Sequence, residues 1–310
     1  MHTILGANGI IGEELAKELR ANYTNQIRLV GRNPKKVHPD DELCKADLFN
    51  TKDINRALED TEIAYMTVGL PYTSEVWLRD WVIIMKNVIE ACKKQKCKLV
   101  YFDNTYAYPQ NVAIQKEDTT MTSTGKKGRG KKLAAELLLK AIATKEIEAL
   151  ICRAPEFYGS GKTKGFTNAL VFENLKNGKK PKVFLKDDVL RTLIYTPDAS
   201  RAMALLANTS DAYGETWHLP CDDNRLTYKQ FVAEISKQLG HEVKYQVLSS
   251  FLLKIMSLFH PMIKETQELF PRYKIDNIFD SSKFKARFPN FKVTTYQEGI
   301  REIIIDYDIK

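Results

Sequence analysis

Along the first half of the chain, short unbroken apolar runs alternate with longer stretches in which apolar residues recur every three or four positions. The runs at residues 3–5, 26–30, 43–48, 62–68, 98–102 and 147–152 read as strands. Between them, Ile10, Ile11, Leu15 and Leu19 line one face of a first helix, and Val76, Trp77, Val82, Ile83, Val88 and Ile89 supply the apolar positions of a long helix over 74–95. Strands alternating with helices at this spacing predict an α/β fold with a doubly wound parallel sheet. Beyond about residue 155 the rhythm breaks up. Strand-like pieces at 182–185, 191–195, 216–219 and 243–247 are mixed with helical patterns at 197–206 and 227–239, and no repeat or low-complexity linker separates the halves. The expected organisation is a main domain over 1–155, completed by about 186–218, and a smaller lobe from 156–185 and 219–310. The most apolar stretch, 248–263, is interrupted by Lys254 and His260 and broken by Pro261, so it falls short of a membrane span. It reads either as a lid or subunit contact, or as a buried amphipathic helix of the smaller lobe.

The first strand runs into Gly6-Ala7-Asn8-Gly9-Ile10-Ile11-Gly12 and from there into the first helix. Gly6 permits a tight turn, Gly9 lets backbone approach an anion without a Cβ in the way, and Gly12 lets the helix pack closely on its strand. The unpaired N–H groups and partial positive charge of the helix N-terminus then face a pyrophosphate. With G-x-x-G-x-x-G spacing in a strand-to-helix context, the sequence resembles the short-chain dehydrogenase/reductase superfamily, in particular its extended and atypical branches of NAD(P)-dependent epimerases, dehydratases and reductases. The resemblance implies a Rossmann-type sheet and a smaller C-terminal substrate lobe, with a dinucleotide held at Gly6, Asn8, Gly9, Ile10, Ile11 and Gly12. Asp47-Leu48 resembles the superfamily's adenine-contacting pair, and the backbone of Val68, Gly69 and Leu70 is expected beside the cofactor. Roughly 20 residues past the glycines, where an acid would accept from the 2′-hydroxyl of NAD, the chain has Gly31-Arg32 with Lys35 and Lys36 behind. Those cations favour the 2′-phosphate of NADP over NAD. The alternative is that Arg32 is a surface turn residue.

The resemblance continues almost to the C-terminus. The segment from Val189 to Asp198 is similar to the extended family's strand-turn motif, and Ile278-Phe279-Asp280-Ser281-Ser282-Lys283 with Tyr296 to Arg301 is similar to its C-terminal ending. Arg153-Ala154-Pro155-Glu156-Phe157-Tyr158-Gly159 resembles the segment whose backbone meets the nicotinamide amide, which implicates Pro155, Glu156 and Phe157. Arg191 is expected either to grip a substrate phosphate or carboxylate, or to pair with a nearby acid such as Asp187 or Asp188. The superfamily usually moves its proton on the tyrosine of Y-x-x-x-K. Here Lys131 falls at the lysine, expected to orient the ribose, and Lys127 at the tyrosine. Two readings of Lys127 stay open: an ammonium pushed toward its neutral form by like charge and burial, serving as the acid/base, or an exposed loop lysine with no catalytic task. The segment from Phe102 to Tyr108 is similar to S-(S/T)-x-x-x-Y-G, with Asn104 at the substrate-polarising position and Tyr106 where sugar-nucleotide dehydratases carry an acid. Tyr106 either supplies the missing phenol or joins Tyr108 in walling the substrate.

Composition narrows the partners. The chain has 310 residues, 44% hydrophobic and 28% charged, and its net charge of +8 comes from lysines scattered at 35–36, 93–94, 126–132 and 179–180. Scattered lysines are a solvated surface, so a small-molecule substrate is expected and a nucleic acid is not. Cys44, Cys92, Cys97, Cys152 and Cys221 form no C-x-x-C pair, and no histidine pair has metal spacing. Reduced thiols, a cytoplasmic setting, no metal and no membrane are therefore expected, and a homo-oligomer is compatible with the sequence. The expected activity is that of an NADP-dependent oxidoreductase or epimerase/dehydratase-like enzyme, acting on a carbonyl or hydroxyl of a small polar, nucleotide-sugar-like substrate. The alternative is an inactive NAD(P)-binding sensor or regulatory protein of the same fold.

Overall fold

The apolar runs become the strands of one parallel sheet in the computed structural model, which describes residues 1–309. In chain order they are β1 (His2–Leu5), β2 (Ile27–Gly31), β3 (Glu42–Lys45), β4 (Ile63–Met66), β5 (Lys98–Asn104), β6 (Ala149–Ala154) and β7 (Thr216–His218). They lie in the order β3-β2-β1-β4-β5-β6-β7, each neighbouring pair parallel. This is the Rossmann-like, doubly wound α/β fold that the alternating pattern predicts. Central β1 is buried along its length, with Leu5 opposite Val30 on one side and Met66 on the other. The strand order reverses between β1 and β4, which is where ligands bind in such sheets.

Five helices accompany the sheet: α1 (Ile10–Asn22), α2 (Thr51–Ala57), α3 (Ser74–Gln95), α4 (Lys126–Ala143) and α5 (Thr196–Ala207). Trp77, Trp81, Ile84, Met85 and Val88 of α3 share one core cluster with Ala134, Ala135, Leu138 and Ala141 of α4. Small residues on α4 let the two backbones meet. A Cβ on Gly130 would lie 2.2 Å from the Trp77 carbonyl oxygen. Two strands end earlier than the pattern suggests, for local reasons. β4 stops at Met66 because the chain then passes Gly6, which has φ +92° and whose Cβ, if present, would stand 2.5 Å from Val68 Cα. β3 stops at Lys45 because the chain turns to start α2, whose N-cap Asn50 accepts from the N–H groups of Lys52 and Asp53.

The chain forms two compact units: residues 1–107, 121–154 and 199–219, and residues 108–120, 155–198 and 220–310. The second contains four short strand pairs, including Glu156–Tyr158 beside Leu193–Tyr195 and Lys182–Phe184 beside Gln246–Leu248. The strand expected at 243–247 shifts to Gln246–Leu248 because its partner offers only three residues. Helix Tyr228–Leu239 starts with a capping box between Thr227 and Gln230, and Tyr296–Asp306 with one between Thr295 and Glu298. Their inner faces meet through Phe231 and Tyr296, which also pack against Tyr158. The apolar stretch 248–263 forms helices Ser250–Phe259 and Pro261–Thr266. The buried-helix reading of it is corrected: in Ser250–Phe259 only Leu253 is buried, Leu252 and Met256 are half-buried, and Phe251, Ile255, Leu258 and Phe259 are exposed.

Substituting Gly130→Ala should cost about 1–3 kcal/mol by forcing α4 off α3, read as a lowered midpoint in urea. Gly69→Ala, with no atom within 4 Å of the added Cβ, should stay within about 0.5 kcal/mol of the parent.

Candidate active site

The turn after β1 is shaped to take an anion. Gly9 is the N-cap of α1 and contributes no side-chain cap, so the N–H groups of Ile10, Ile11 and Gly12, which have no intrahelical partner, are left for a ligand. A Cβ on Gly12 would lie 2.8 Å from Ala7 Cα, so the turn and α1 are in backbone contact. Asn8 reaches across to the turn after β2: its Nδ2 donates to Asn33 O at 2.6 Å and its Oδ1 accepts from Lys35 N at 3.1 Å. Arg32 is exposed, and Lys36 folds back to donate to the Pro39 carbonyl. Asp47 is exposed and accepts from Phe49 N at 3.1 Å, while Leu48 is buried. Val68 and Leu70 are half-buried beside exposed Gly69. Glycines whose missing Cβ groups keep backbone close, with an uncapped helix start beyond them, fit the pyrophosphate of a dinucleotide.

At the carboxyl end of β5 the structure gathers Asn104, Tyr106, Lys127 and Lys131. Asn104 Oδ1 accepts from Tyr106 N at 3.0 Å, which closes the turn and leaves the amide NH2 to donate. The Tyr106 hydroxyl lies 3.0 Å from that of Tyr72, and its ring centroid lies 5.0 Å from that of Trp77. Lys127 is fully buried on α4, which rules out the exposed-loop reading. Its Nζ donates to Ser74 Oγ at 2.9 Å and sits 4.8 Å from the Tyr72 ring centroid.

One turn further along α4, Lys131 is enclosed. Its Nζ lies 2.8 Å from Asp103 Oδ1, donates to the Tyr101 hydroxyl and stands 3.8 Å over the Trp81 ring. Asp103 Oδ2 also takes Arg153, through Nη2 at 2.9 Å and Nε at 3.0 Å. Burial alone would push the Asp103 carboxyl up, but the Lys131 ammonium and the Arg153 guanidinium hold it below its usual value. Burial pushes Lys131 down, against the upward pull of Asp103. One carboxylate facing two cations leaves an excess positive charge, and of the two cations only the lysine can shed a proton.

The other expected site residues lie in the second unit. Tyr108 and Pro155 are buried and Phe157 half-buried. Glu156 Oε1 accepts from Thr167 N and Oγ1 at 3.0 and 2.8 Å, and Oε2 accepts from the Tyr273 hydroxyl at 2.8 Å. Arg191, 2% exposed, stands 3.5 Å from Glu156 Oε2, donates to Arg272 O at 2.5 Å and stacks 4.3 Å over the Tyr273 ring. Its acid is thus Glu156 and neither Asp187 nor Asp188; Asp187 accepts from the Tyr245 hydroxyl instead. Sequence reasoning missed Tyr72, Ser74, Asp103 and Arg153. The last two carried a signal, because a charged residue inside an apolar strand requires a buried partner. Among the described residues no group of three or more His, Cys, Asp or Glu is arranged to hold a metal.

Residues 2–219 match the family model described as NAD dependent epimerase/dehydratase family. The chain belongs to this family. Among curated proteins none matches the sequence significantly. Among solved structures, this epimerase/dehydratase family member is similar to UDP-glucuronic acid 4-epimerase from Bacillus cereus in complex with UDP-glucuronic acid and NAD, at TM-score 0.80 and 16% identity over 99% of each chain. It is also similar to UDP-N-acetylglucosamine 4-epimerase from Methanobrevibacter ruminantium in complex with UDP-N-acetylmuramic acid, at 0.79 and 16% over 99% of this chain and 97% of the other. A third is UDP-glucose 4-epimerase from Thermus thermophilus in complex with NAD, at 0.77 and 16% over 99% of each. At such identities the likeness concerns the fold. The expectation of NADP is corrected to NAD by the family and by the NAD bound in the similar structures. The physical reason is that Arg32 is an exposed turn residue and Lys36 is tied to its own loop, so the basic cluster reads as ordinary surface.

Asp103→Asn should destabilise this family member by about 3–5 kcal/mol, since it strands two buried cations. The sign with pH follows from Asp103 being held below its ordinary 3.8. Its contribution is full above that value and is lost as pH falls toward the folded-state value, so denaturation midpoints should drop at acid pH in the parent and less steeply in Asp103→Asn.

Proposed function

We propose that the chain is an NAD-dependent epimerase, or a closely related oxidoreductase, that works on a secondary hydroxyl or carbonyl of a nucleotide sugar, with Tyr106 as the proton carrier. The observation that carries this reading is the hydrogen-bonded phenol pair Tyr106–Tyr72 with the Lys127 ammonium against the Tyr72 ring. The NAD complexes and UDP-sugar names of the similar epimerases support the cofactor and the substrate class.

Bound NAD supplies a hydride acceptor that can also return the hydride. The protein's part is to hold it and to manage the proton. The turn from Gly6 to Gly12, with Asn8, Ile10 and Ile11, cradles the pyrophosphate on the α1 N-terminus; Asp47 and Leu48 take the adenine side, and Val68 to Leu70 run beside the cofactor. As a hydride leaves a carbinol carbon, the hydroxyl proton must leave too. Tyr106 takes it as the phenolate, having first released its own proton to solvent; the Tyr72 hydroxyl donates to that phenolate and the Lys127 ammonium offsets its negative charge. Asn104 donates its amide N–H to the same substrate oxygen. Lys131 is a positioning residue: to reach a ribose it would have to leave Asp103, and its ion pair instead fixes α4 on β5. The sensor alternative has no support from the relatives, and the phenol absent from α4 is replaced by Tyr106.

Titration monitored by the fluorescence of Trp77 and Trp81 should show NAD binding, with Arg32→Ala leaving the affinity unchanged. On a panel of UDP-sugars, Tyr106→Phe should lower turnover by about 10²–10⁴-fold at unaltered NAD affinity. Full turnover in that variant would remove Tyr106 from its role, and failure of folded protein to bind NAD would end the reading.

A further inference from the structure

The fold leaves its most apolar helix unpartnered. In Ser250–Phe259, opened by the Ser249 side chain accepting from Leu252 N at 3.2 Å, Phe251, Ile255, Leu258 and Phe259 recur at i, i+4, i+7 and i+8 and so share one face. That face is the outward one: Phe251 is 74% exposed, Leu258 77% and Phe259 75%. Met262, 58% exposed, extends the stripe into Pro261–Thr266. The opposite face, centred on Leu253, is the packed one. Surface helices ordinarily turn their apolar side inward, and single hydrophobics rather than stripes are left in water.

Charge indicates what covers the stripe. From Val243 to Lys264 the chain holds Lys244, Lys254 and Lys264, all exposed, and no Asp or Glu. Lys254 flanks the apolar stripe on the same helix. The strand leading into the helix, Gln246–Leu248, pairs with Lys182–Phe184, which follows exposed Lys179 and Lys180. The bounding acids are Glu242 and Glu265, and nearby Asp187 is engaged by Tyr245. A two-fold contact between copies would set this patch against itself, bringing three lysines toward three lysines with acids only at its two ends. A surface of anionic headgroups over hydrocarbon meets both the charge and the apolar stripe. The helix, 10 residues long, lies on such a surface and does not cross it.

We propose that this face docks the protein on an anionic lipid bilayer, Phe251, Leu258 and Phe259 entering the headgroup boundary while Lys254 and Lys264 meet lipid phosphates. The proposal is independent of the catalytic reading. The full chain should co-sediment with vesicles of phosphatidylcholine containing about one-third phosphatidylglycerol, and about tenfold less with phosphatidylcholine alone. Replacing Phe251→Ser, Leu258→Ser and Phe259→Ser together should lower binding by about tenfold or more with the unfolding midpoint retained, since all three side chains are exposed. Lys254→Glu with Lys264→Glu should remove the preference for the anionic vesicles. Absence of binding to either vesicle, or equal binding by the triple variant, overturns the proposal. A dimer in sedimentation velocity that the triple variant dissociates also overturns it, because a second copy would then be the occupant.

Discussion

One carboxylate joins three elements in the interior of the first unit. Asp103 on β5 stands directly opposite Arg153 on β6 in the strand register, and Lys131 reaches it from α4. Removing such charges from water costs several kcal/mol per ion, which only close geometry and full pairing offset. The arrangement is therefore selective as much as stabilising. A slip of β6 by one residue would carry Arg153 to the other face of the sheet, and a rotation of α4 would separate Lys131 from its acid.

With α4 fixed in this way, the placement of the remaining polar groups follows. Lys127 lies one turn before Lys131 on the same face and is directed to Ser74 and Tyr72, at the start of α3 and in the loop before it. Tyr72 in turn meets Tyr106, whose backbone is held by Asn104 at the end of β5. Gly130 and Gly128 make room for this: a Cβ on Gly128 would press within 2.5 Å of the Tyr106 carbonyl oxygen. At this point α4 itself carries only glycines and basic residues, and the two phenols come from the segments that precede α3 and follow β5.

Much of the scaffold was legible because its signals are local. The glycine turn, the continuous apolar strands and the 22-residue α3 follow from neighbours in sequence. What failed to show depends on distant partners. The apolar stretch 248–263 read as a lid or subunit contact or as a buried amphipathic helix, but the period of a helix is the same whichever side is packed, so the outward orientation was hidden. Lys127 read equally well as loop surface, because Ser74 and Tyr72, which satisfy its ammonium, come from another element. Arg191 was read as gripping a substrate anion or pairing with an acid nearby in sequence, whereas its partner Glu156 is 35 positions away, on the strand beside Leu193–Tyr195. The coenzyme choice misled for a different reason: a cation after β2 signals a phosphate only where the surrounding chain encloses it, and Arg32 stands in solvent.

Asn8 gives the glycine turn a property that its glycines lack. Both ends of its amide are committed to backbone groups of residues 33 and 35, so loops that follow two different strands are latched by a single side chain. Neither can rearrange without breaking bonds in the other. The two loops are thereby mechanically geared, and sequence drift in the loop after β2 is transmitted to the start of α1 along a path that bypasses the sheet.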